Sequence, residues 1–528
     1  MTNSINELEA DAKCVFLIGT NTTENHPVIG YKIKQNVRKN GAKLVVADPR
    51  RIELAEMADV YMKFKPGTDV ALINAMMNVI INEELLDKEF ITNRTEGFEE
   101  MAAVIAQYTP EYAEEITEVP AEDIRKAARL YAEADTASIC YAMGITQHST
   151  GTDNVKSVCN LALLTGNLGK PGTGVNPLRG QNNVQGACDM GALPVTYPAY
   201  QKVTDSAVRE KFEKAWGVSL SPNNGLTLTA AINKAYSKEL KGLMVIGENP
   251  MVSDPDLKHV EEALDNLELL MVQDIFFTET ARKADVVFPG VTFAETDGTF
   301  TNTERRVQRV RQAISPRGGT LPDWQILCEL SKRLGYPMNY SSPEEIFDEM
   351  KTVTPSYAGM TYTRLEGKGL HWPCPNEEHM GTPVLHKEKF NRGLGLFHAI
   401  EFKDPAELPD EEYPLILSTG RNLFHYHTGT MTRRSSALNK HVPENEVQIN
   451  PATAERLNIV NGEKVKVVTR RGNIEVKAKV TDIVNENVIF TYFHFSEAAA
   501  NMLTNADSLD PVAGIPEYKV CAARVEKI

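Results

Sequence analysis

Several things are missing from this sequence, and each absence narrows the field. No C-x-x-C pair occurs: the seven cysteines stand far apart at 14, 140, 159, 188, 328, 374 and 521. Such spacing supplies neither a zinc knuckle nor an iron–sulfur cluster held by these residues alone, and scattered cysteines are most often small buried hydrophobes. No apolar run reaches the ~20 residues needed to span a bilayer. The opening MTNSINELEADAK lacks the charged-then-apolar layout of a secretory signal. It predicts an amphipathic helix leading into a strand, and a cytoplasmic location. A basic surplus is also lacking. With 71 acidic against 56 basic residues the net charge is −15, so neither nucleic acid nor an acidic membrane surface is an expected partner.

What remains is an ordinary globular composition, 42% hydrophobic and 24% charged over 528 residues, in a chain long enough for several domains. The short apolar runs Cys14–Ile18, Lys43–Ala47 and Val60–Phe64 predict buried strands. Helical spacing of apolar residues follows, notably over Asp69–Leu86, so strands alternate with helices as in a parallel α/β layer. Ser138–Tyr141 is a further strand, with a helix around Asn154–Leu164 after it. The stretch Thr165–Pro194, TGNLGKPGTGVNPLRGQNNVQGACDMGALP, is dense in Gly, Asn and Pro and predicts a long loop. Without the charge-rich signature of disorder, a loop of that length is a functional one. α/β texture returns from Gly242 to Thr292, a mixed region runs to about Pro405, and from Tyr413 the pattern is mostly strand. There Lys464–Thr469 and Ile474–Val480 alternate apolar and polar residues about an RRGN turn, which predicts a barrel-like β domain.

A duplication carries the chemistry. VFLIGTN (Val15–Asn21) is matched by LMVIGEN (Leu243–Asn249), each a strand ending in Gly-x-Asn. A second strand then ends in an acid, LVVAD at Asp48 and LMVQD at Asp274, 29 and 27 positions after Gly19 and Gly247. Both units close on similar text, LAEMADVYMKF and TARKADVVFPG. A glycine there lets the backbone approach a pyrophosphate, and the later acid bonds a ribose or base. The N1–H and N2–H₂ of a guanine suit such a carboxylate. Two ordinary α/β units without ligand are the alternative, and duplication within one chain favours two related nucleotide arms. Neither loop reads G-x-G-x-x-G, so a nicotinamide fingerprint is lacking. The expected fold class is α/β, with two Rossmann-like parallel-sheet domains related by the internal repeat plus a C-terminal β-barrel domain. The expected boundaries are 1–181, 182–291, 292–404 and 405–528.

On these residues the chain resembles the molybdenum bis(guanine dinucleotide) enzymes. NPLRGQNNVQGACDMGALP (Asn176–Pro194), with GTNTTENHP, ADPR, AMGITQ, GTFTNTERRVQ, PDWQ and PEYK, is similar to the catalytic subunit of the formate dehydrogenase branch. That resemblance implies two-electron oxidation of formate to CO₂, or its reversal, at molybdenum or tungsten bis(molybdopterin guanine dinucleotide). It implies that Asn21, Glu24 and Asn25 meet the pyrophosphate of the first arm, with Asp48 on the guanosine and Gly67 and Asp69 lining the site. Met143 and Gln147 would touch pterin. Gly247, Asn249, Ser253, Gln273, Asp274 and Asp323 would serve the second arm. The C-terminal domain would cap both pterins through Arg421, His425, His427, Thr428, Tyr492, Asn501, Tyr518 and Lys519. Arg179 is the implied catalytic residue, because a guanidinium fork can hold both oxygens of a planar carboxylate where a lysine cannot. Gln181 resembles the glutamine the family keeps beside the pterin. His425 and His427 in HYH could chelate zinc from one face of a strand, but no further ligands accompany them. His148 and His494 match no role and are expected at the surface or in packing. Glu295, Asn302 and Arg305 are expected to organise a buried loop.

The family pattern also has a Cys-rich [4Fe–4S] segment and a cysteine or selenocysteine metal ligand followed by histidine, upstream of where Met1 stands. The chain is therefore expected to be a fragment, inactive alone, whose partners are formate or CO₂, the missing segment or a chain supplying it, and an iron–sulfur electron-transfer subunit or ferredoxin-like acceptor. An export signal would be lost with such a segment. The alternatives are another molybdopterin reductase, such as a nitrate reductase, and a cofactor-free structural subunit of an electron-transfer complex.

Overall fold

The computed structural model describes all residues from Met1 to Ile528. They form two compact units, Met1–Gly180 together with Val384–Ile528, and Gln181–Pro383.

In the first unit, strands β1 (Cys14–Ile18), β2 (Lys43–Ala47), β3 (Val60–Met62), β4 (Ala137–Tyr141) and β5 (Gly174–Pro177) make a five-stranded sheet in the order β3-β2-β1-β4-β5, parallel throughout. Both faces of β1 are covered, which is why its sequence is continuously apolar and not alternating. Cys14, Phe16 and Ile18 pack into one core with Met76, Ile124 and Tyr131, while Val15 and Leu17 join Ile29, Ile33 and Leu44 on the other face. The helix Asp69–Asn82 is buried from Asp69 to Ile80, so it too is apolar nearly all round.

The opening helix is shorter than expected, only Glu7–Ala10. Asn3 Nδ2 and Ser4 Oγ both donate to the Glu7 carboxylate (2.7 and 3.0 Å), and Thr2 N–H donates to the Val175 carbonyl (3.1 Å). These local bonds draw the terminus along β5 and compete with a longer helix. Within the long loop, residues 174–177 form the edge strand β5 and Val184–Asp189 a short helix.

The C-terminal part of this unit is a closed barrel. Its strands are β9 (Leu415–Gly420), β10 (Glu446–Ile449), β11 (Lys464–Val468), β12 (Asn473–Val480), β13 (Val488–Tyr492) and β14 (Cys521–Lys527), in the order β9-β13-β10-β12-β11-β14. The predicted hairpin pairs Val465 with Val476 and Val467 with Ile474. These four residues point into the barrel core with Leu417, Val447 and Ile489.

The second unit holds β6 (Gly242–Ile246), β7 (Leu269–Asp274) and β8 (Val286–Pro289), parallel in the order β8-β7-β6. This repeats β3-β2-β1 down to single bonds. Gly19 (φ 56°) and Gly247 (φ 62°) donate to the carbonyls of Ala47 and Gln273 at 3.0 and 2.8 Å. Asp59 and Asp285, in the twin ADV sequences, accept from the backbone of Leu44 and Leu270 at 2.9 and 2.7 Å. Each carboxylate thereby locks the third strand to the second, a shared device that the matching text encodes. No helix is long and apolar enough to cross a membrane.

Candidate nucleotide and substrate site

In the first sheet the chain reverses its direction of travel between β1 and β4, and such switch points at the carboxyl ends of parallel strands form ligand crevices. Here the two loops meet backbone to backbone. Gly144 N–H donates to the Gly19 carbonyl (3.1 Å), and a Cβ on Gly144 would stand 2.5 Å from that oxygen. Only glycine fits, and the close approach leaves the crevice open beside it.

Two cavities of the first unit run end to end from this point, sharing Asn21 and Arg50 on their walls. Asn21, Asn25, Asp48, Gly67, Asp69, Met143, Gln147, Arg421 and Lys519 line the first. Glu24 and Tyr492 line the second. Tyr518 stands alongside, its N–H donating to the Gln147 carbonyl (3.2 Å) and its carbonyl accepting from Thr419 Oγ1 (2.9 Å). Arg179 lies between Leu178 and Gly180, both of which line the first cavity, and its charge is felt at the Tyr141 phenol. Leu178 N–H donates to the Tyr141 carbonyl (2.8 Å), which fixes the backbone just before Arg179 beyond the end of β5.

Among the charges lining the first cavity, Asp48 and Asp69 are buried while Arg50, Arg421 and Lys519 are half-buried. Burial raises Asp48 to about 6, although Arg50 N–H donates to its Oδ1 at 2.9 Å. Burial likewise raises Asp69 to about 6, and lowers Lys519 to about 7 with Arg421 adding to the effect. Lys519 Nζ donates to the Thr419 carbonyl (2.7 Å). Several wall atoms have no hydrogen-bond partner on another residue: Thr20 Oγ1, Asn25 Oδ1, His26 Nδ1 and both carboxylate oxygens of Asp69, with Glu24 Oε2 in the second cavity. Buried polar atoms are nearly always hydrogen-bonded, so this cluster of orphans is what a polar, hydrogen-bonding ligand would satisfy.

Other expected residues sit differently. His425 uses both ring nitrogens within the protein, Nε2 on the Val442 carbonyl (2.7 Å) and Nδ1 at Thr432 Oγ1 (3.3 Å). The segment around HYH is not a strand, and His427 adopts φ 50°, so the two rings do not share a strand face. No cluster of His, Cys, Asp or Glu suited to a metal is present. Burial, with Arg421 nearby, lowers His427 to about 4. Thr428 Oγ1 meets Thr430 Oγ1 at 3.0 Å. Asn501 accepts from Thr504 Oγ1 (3.1 Å) and lines neither cavity.

In the second unit, Gln181 is half-buried at the start of the loop. Asn249 Oδ1 accepts from Thr280 N–H (3.2 Å) and Oγ1 (2.7 Å). Ser253 Oγ bridges the Glu248 and Asp254 carboxylates. Asp274 Oδ1 accepts from Ile275 and Phe276 N–H at 2.6 and 3.2 Å. The amide of buried Gln273 faces the Asp323 carboxylate, and Asp323 Oδ1 would lie 3.3 Å from a Cβ on Gly290. Gly290 therefore stays bare where Asp323 needs room. Glu295 accepts from Thr292 N–H, Thr292 Oγ1 and Arg317 N–H, and Arg305 donates to the Trp372, Thr382 and Pro383 carbonyls, so both do organise loops.

Sequence reading missed His26, Arg50 and Glu517, and placed His148 and His494 too loosely. Arg50 stacks on Phe490, 3.8 Å from the ring centre, and its place in ADPR beside Asp48 was the available signal. His148 and His494 are both fully buried. His148 pairs through Nδ1 with Glu517 at 3.0 Å, and its Nε2 lies 2.9 Å from the Gly144 carbonyl and 3.9 Å from Asp69. Burial opposes its charge, but Glu517 and Asp69 outweigh burial and raise the ring to about 9.

Comparison with known proteins agrees with this geometry. The Molybdopterin oxidoreductase family matches residues 1–333, and the Molybdopterin dinucleotide binding domain matches 415–522. The chain is 54% identical to the F420-dependent formate dehydrogenase subunit alpha of Methanocaldococcus jannaschii, covering 100% of this chain and 78% of that one. It is 44% identical to formate dehydrogenase H of Escherichia coli, covering 100% and 74%. Acetylene hydratase from Pelobacter acetylenicus shares the fold at a TM-score of 0.79 and 24% identity, over 100% of this chain and 79% of that one. An orphaned polar crevice at a switch point, a duplicated arm, a capping barrel and homologues of this kind along its whole length make the chain an oxidoreductase, and it belongs to the molybdopterin oxidoreductase family.

Proposed function

We propose that this chain holds two molybdopterin guanine dinucleotides, one in each repeat, and with them catalyses interconversion of formate and CO₂. The observation that supports it most is the row of unpartnered buried atoms in the first cavity, with Leu178 and Gly180, the two neighbours of Arg179, on its wall. Asn21 and Arg50, at the junction of the two cavities, would meet the pyrophosphate. Lys519 and Arg421 would add positive charge from the barrel side. Gln273, paired with Asp323, would face the second dinucleotide. When bound, the pterin-held molybdenum or tungsten supplies the two-electron redox chemistry that no side chain here can supply.

The protein's part is orientation. The Arg179 guanidinium can hold both formate oxygens in a bidentate pair and so fix where the C–H points. Turnover would further need the metal's protein ligand and a [4Fe–4S] cluster, which the family pattern places upstream of residues 1–528, and an iron–sulfur or ferredoxin-like electron acceptor. We place the enzyme in the cytoplasm.

The test is Arg179→Lys in cofactor-loaded protein, assayed by formate-dependent dye reduction. Losing a charged bidentate pair costs about 1.5–3 kcal/mol, or roughly 10–100-fold in kcat/KM for formate. Pterin content should not change. Loaded wild-type protein that ignores formate and reduces nitrate would replace this reading with the other reductase class.

A further inference from the structure

The backbone of Arg179 is held from outside its own strand by a histidine. His26 Nε2 lies 2.7 Å from the Arg179 carbonyl oxygen. A carbonyl only accepts, so Nε2 carries the hydrogen and, in a neutral ring, Nδ1 is left as a bare acceptor. The ring is neutral because burial holds it below the usual histidine range, and the Arg421 charge works in the same direction. That bare Nδ1 is buried and has no partner, and His26 lines the first cavity beside Asn25, whose Oδ1 is orphaned too.

The next residue is fixed as well. A Cβ on Gly180 would sit 2.8 Å from both terminal nitrogens of Arg421, so the bare backbone of Gly180 packs on that guanidinium. Arg179 therefore has His26 on its carbonyl and Arg421 against the following residue. Both of these side chains face the first cavity. One imidazole thus has one nitrogen on the backbone of the substrate arginine and the other buried and unpartnered, on a side chain that lines the space for the dinucleotide.

We propose that His26 is a positioning residue that ties occupancy of the first nucleotide arm to the placement of Arg179. Nδ1 accepts from a donor of the bound dinucleotide, a hydroxyl or a ring N–H, while Nε2–H steadies the Arg179 carbonyl. This role rests on the functional reading above, in which the arm binds a dinucleotide and Arg179 binds formate. It adds a direct mechanical link between them.

Two conservative variants separate the two halves of the ring. In His26→Gln the side-chain amide reaches the Nε2 position and keeps a donor for Arg179, but the acceptor at Nδ1 is gone. In His26→Asn the amide reaches only the Nδ1 position, so the cavity keeps its polar partner and the Arg179 carbonyl loses its own. The measurements are pterin per chain after gel filtration, read by fluorescence of the released oxidised pterin, and the KM for formate in the loaded fraction. His26→Asn should retain pterin and raise KM roughly 10-fold, and His26→Gln should lose pterin several-fold with a smaller rise in KM. The same response from both variants, or none from either, overturns the link. Wild-type protein free of pterin overturns the functional reading and this role with it, whereas loaded, formate-active wild type with unresponsive variants overturns this role alone.

Discussion

The buried pair of His148 and Glu517 gives a prediction that can be worked through in numbers. It joins the segment after β4, whose His148 lines the first cavity, to the segment before β14. In His148→Gln the Glu517 carboxylate loses its cation but keeps four donors, Ser149 N–H and Oγ at 2.9 and 3.2 Å and the N–H groups of Lys519 and Val520 at 3.3 and 3.2 Å. Removing one partner of a buried pair costs about 3–5 kcal/mol, and the retained donors put this one near the lower end. The lift of the ring from 6.5 to about 9 corresponds to about 3 kcal/mol as well. For a unit of this size that is a fall of roughly 4 °C in Tm. Because the folded-state value is raised, the contribution is complete below pH 6.5 and drains away as pH climbs through about 9. Glu517 is held low despite burial, chiefly by His148, so its own share is lost only on acidification below the ordinary glutamate range. Melting curves of wild type and variant at half-unit pH steps should therefore differ most just below pH 6.5 and converge in alkali. A gap that stays constant with pH would mean that His148 acts by packing, and the electrostatic account would be refuted.

Other outcomes follow from single contacts. Gly144→Ala forces a methyl against the Gly19 carbonyl and should abolish pterin retention, whereas Gly298→Ala meets open space and should be silent in the same fluorescence assay. Asp189 accepts from Gln185, Tyr200, Tyr357 and Trp372 at 2.8, 2.9, 2.6 and 2.6 Å. Asp189→Asn strands at least one of these donors, at a cost of about 1–3 kcal/mol, and limited proteolysis should show faster cutting within Gln181–Pro383. Lys519, with its folded value lowered to about 7, is uncharged in alkali when the cavity is empty, so binding of a guanine nucleotide diphosphate above pH 7 should take up a proton. Calorimetry in buffers of different ionisation heat should register that uptake in wild type, and it should vanish in Lys519→Met.

The skeleton was legible because it is written in local patterns. Buried parallel strands read as unbroken apolar runs, Val465 to Val480 alternates with period two, and the repeat shows as near-identical text. What could not be read were pairings made across long stretches of chain. Nothing local to His148 announces a carboxylate 369 positions away at Glu517, so the sequence leaves it at the surface or in packing. His26 was hidden in the same way, because its meaning depends on a carbonyl at Arg179. Asp59 and Asp285 could have been found by pressing the repeat further, since both stand in ADV. HYH misled in the opposite direction: its spacing suggests a strand face, and tertiary contacts with Val442 and Thr432 take the His425 ring nitrogens instead.

The position of β14 within the barrel bears on how the molecule is made. Cys521–Lys527 is inserted between β9 and β11, and Glu517 to Lys519 immediately precede it. Until that stretch leaves the ribosome, the five-stranded sheet can form, but two barrel strands lack a neighbour and one wall of the cavity is absent. Ligand loading must then follow synthesis. A stop codon anywhere before 521 would leave a first sheet able to fold beside a barrel that never shuts, an incomplete receptacle exposing bare edges to the quality-control machinery.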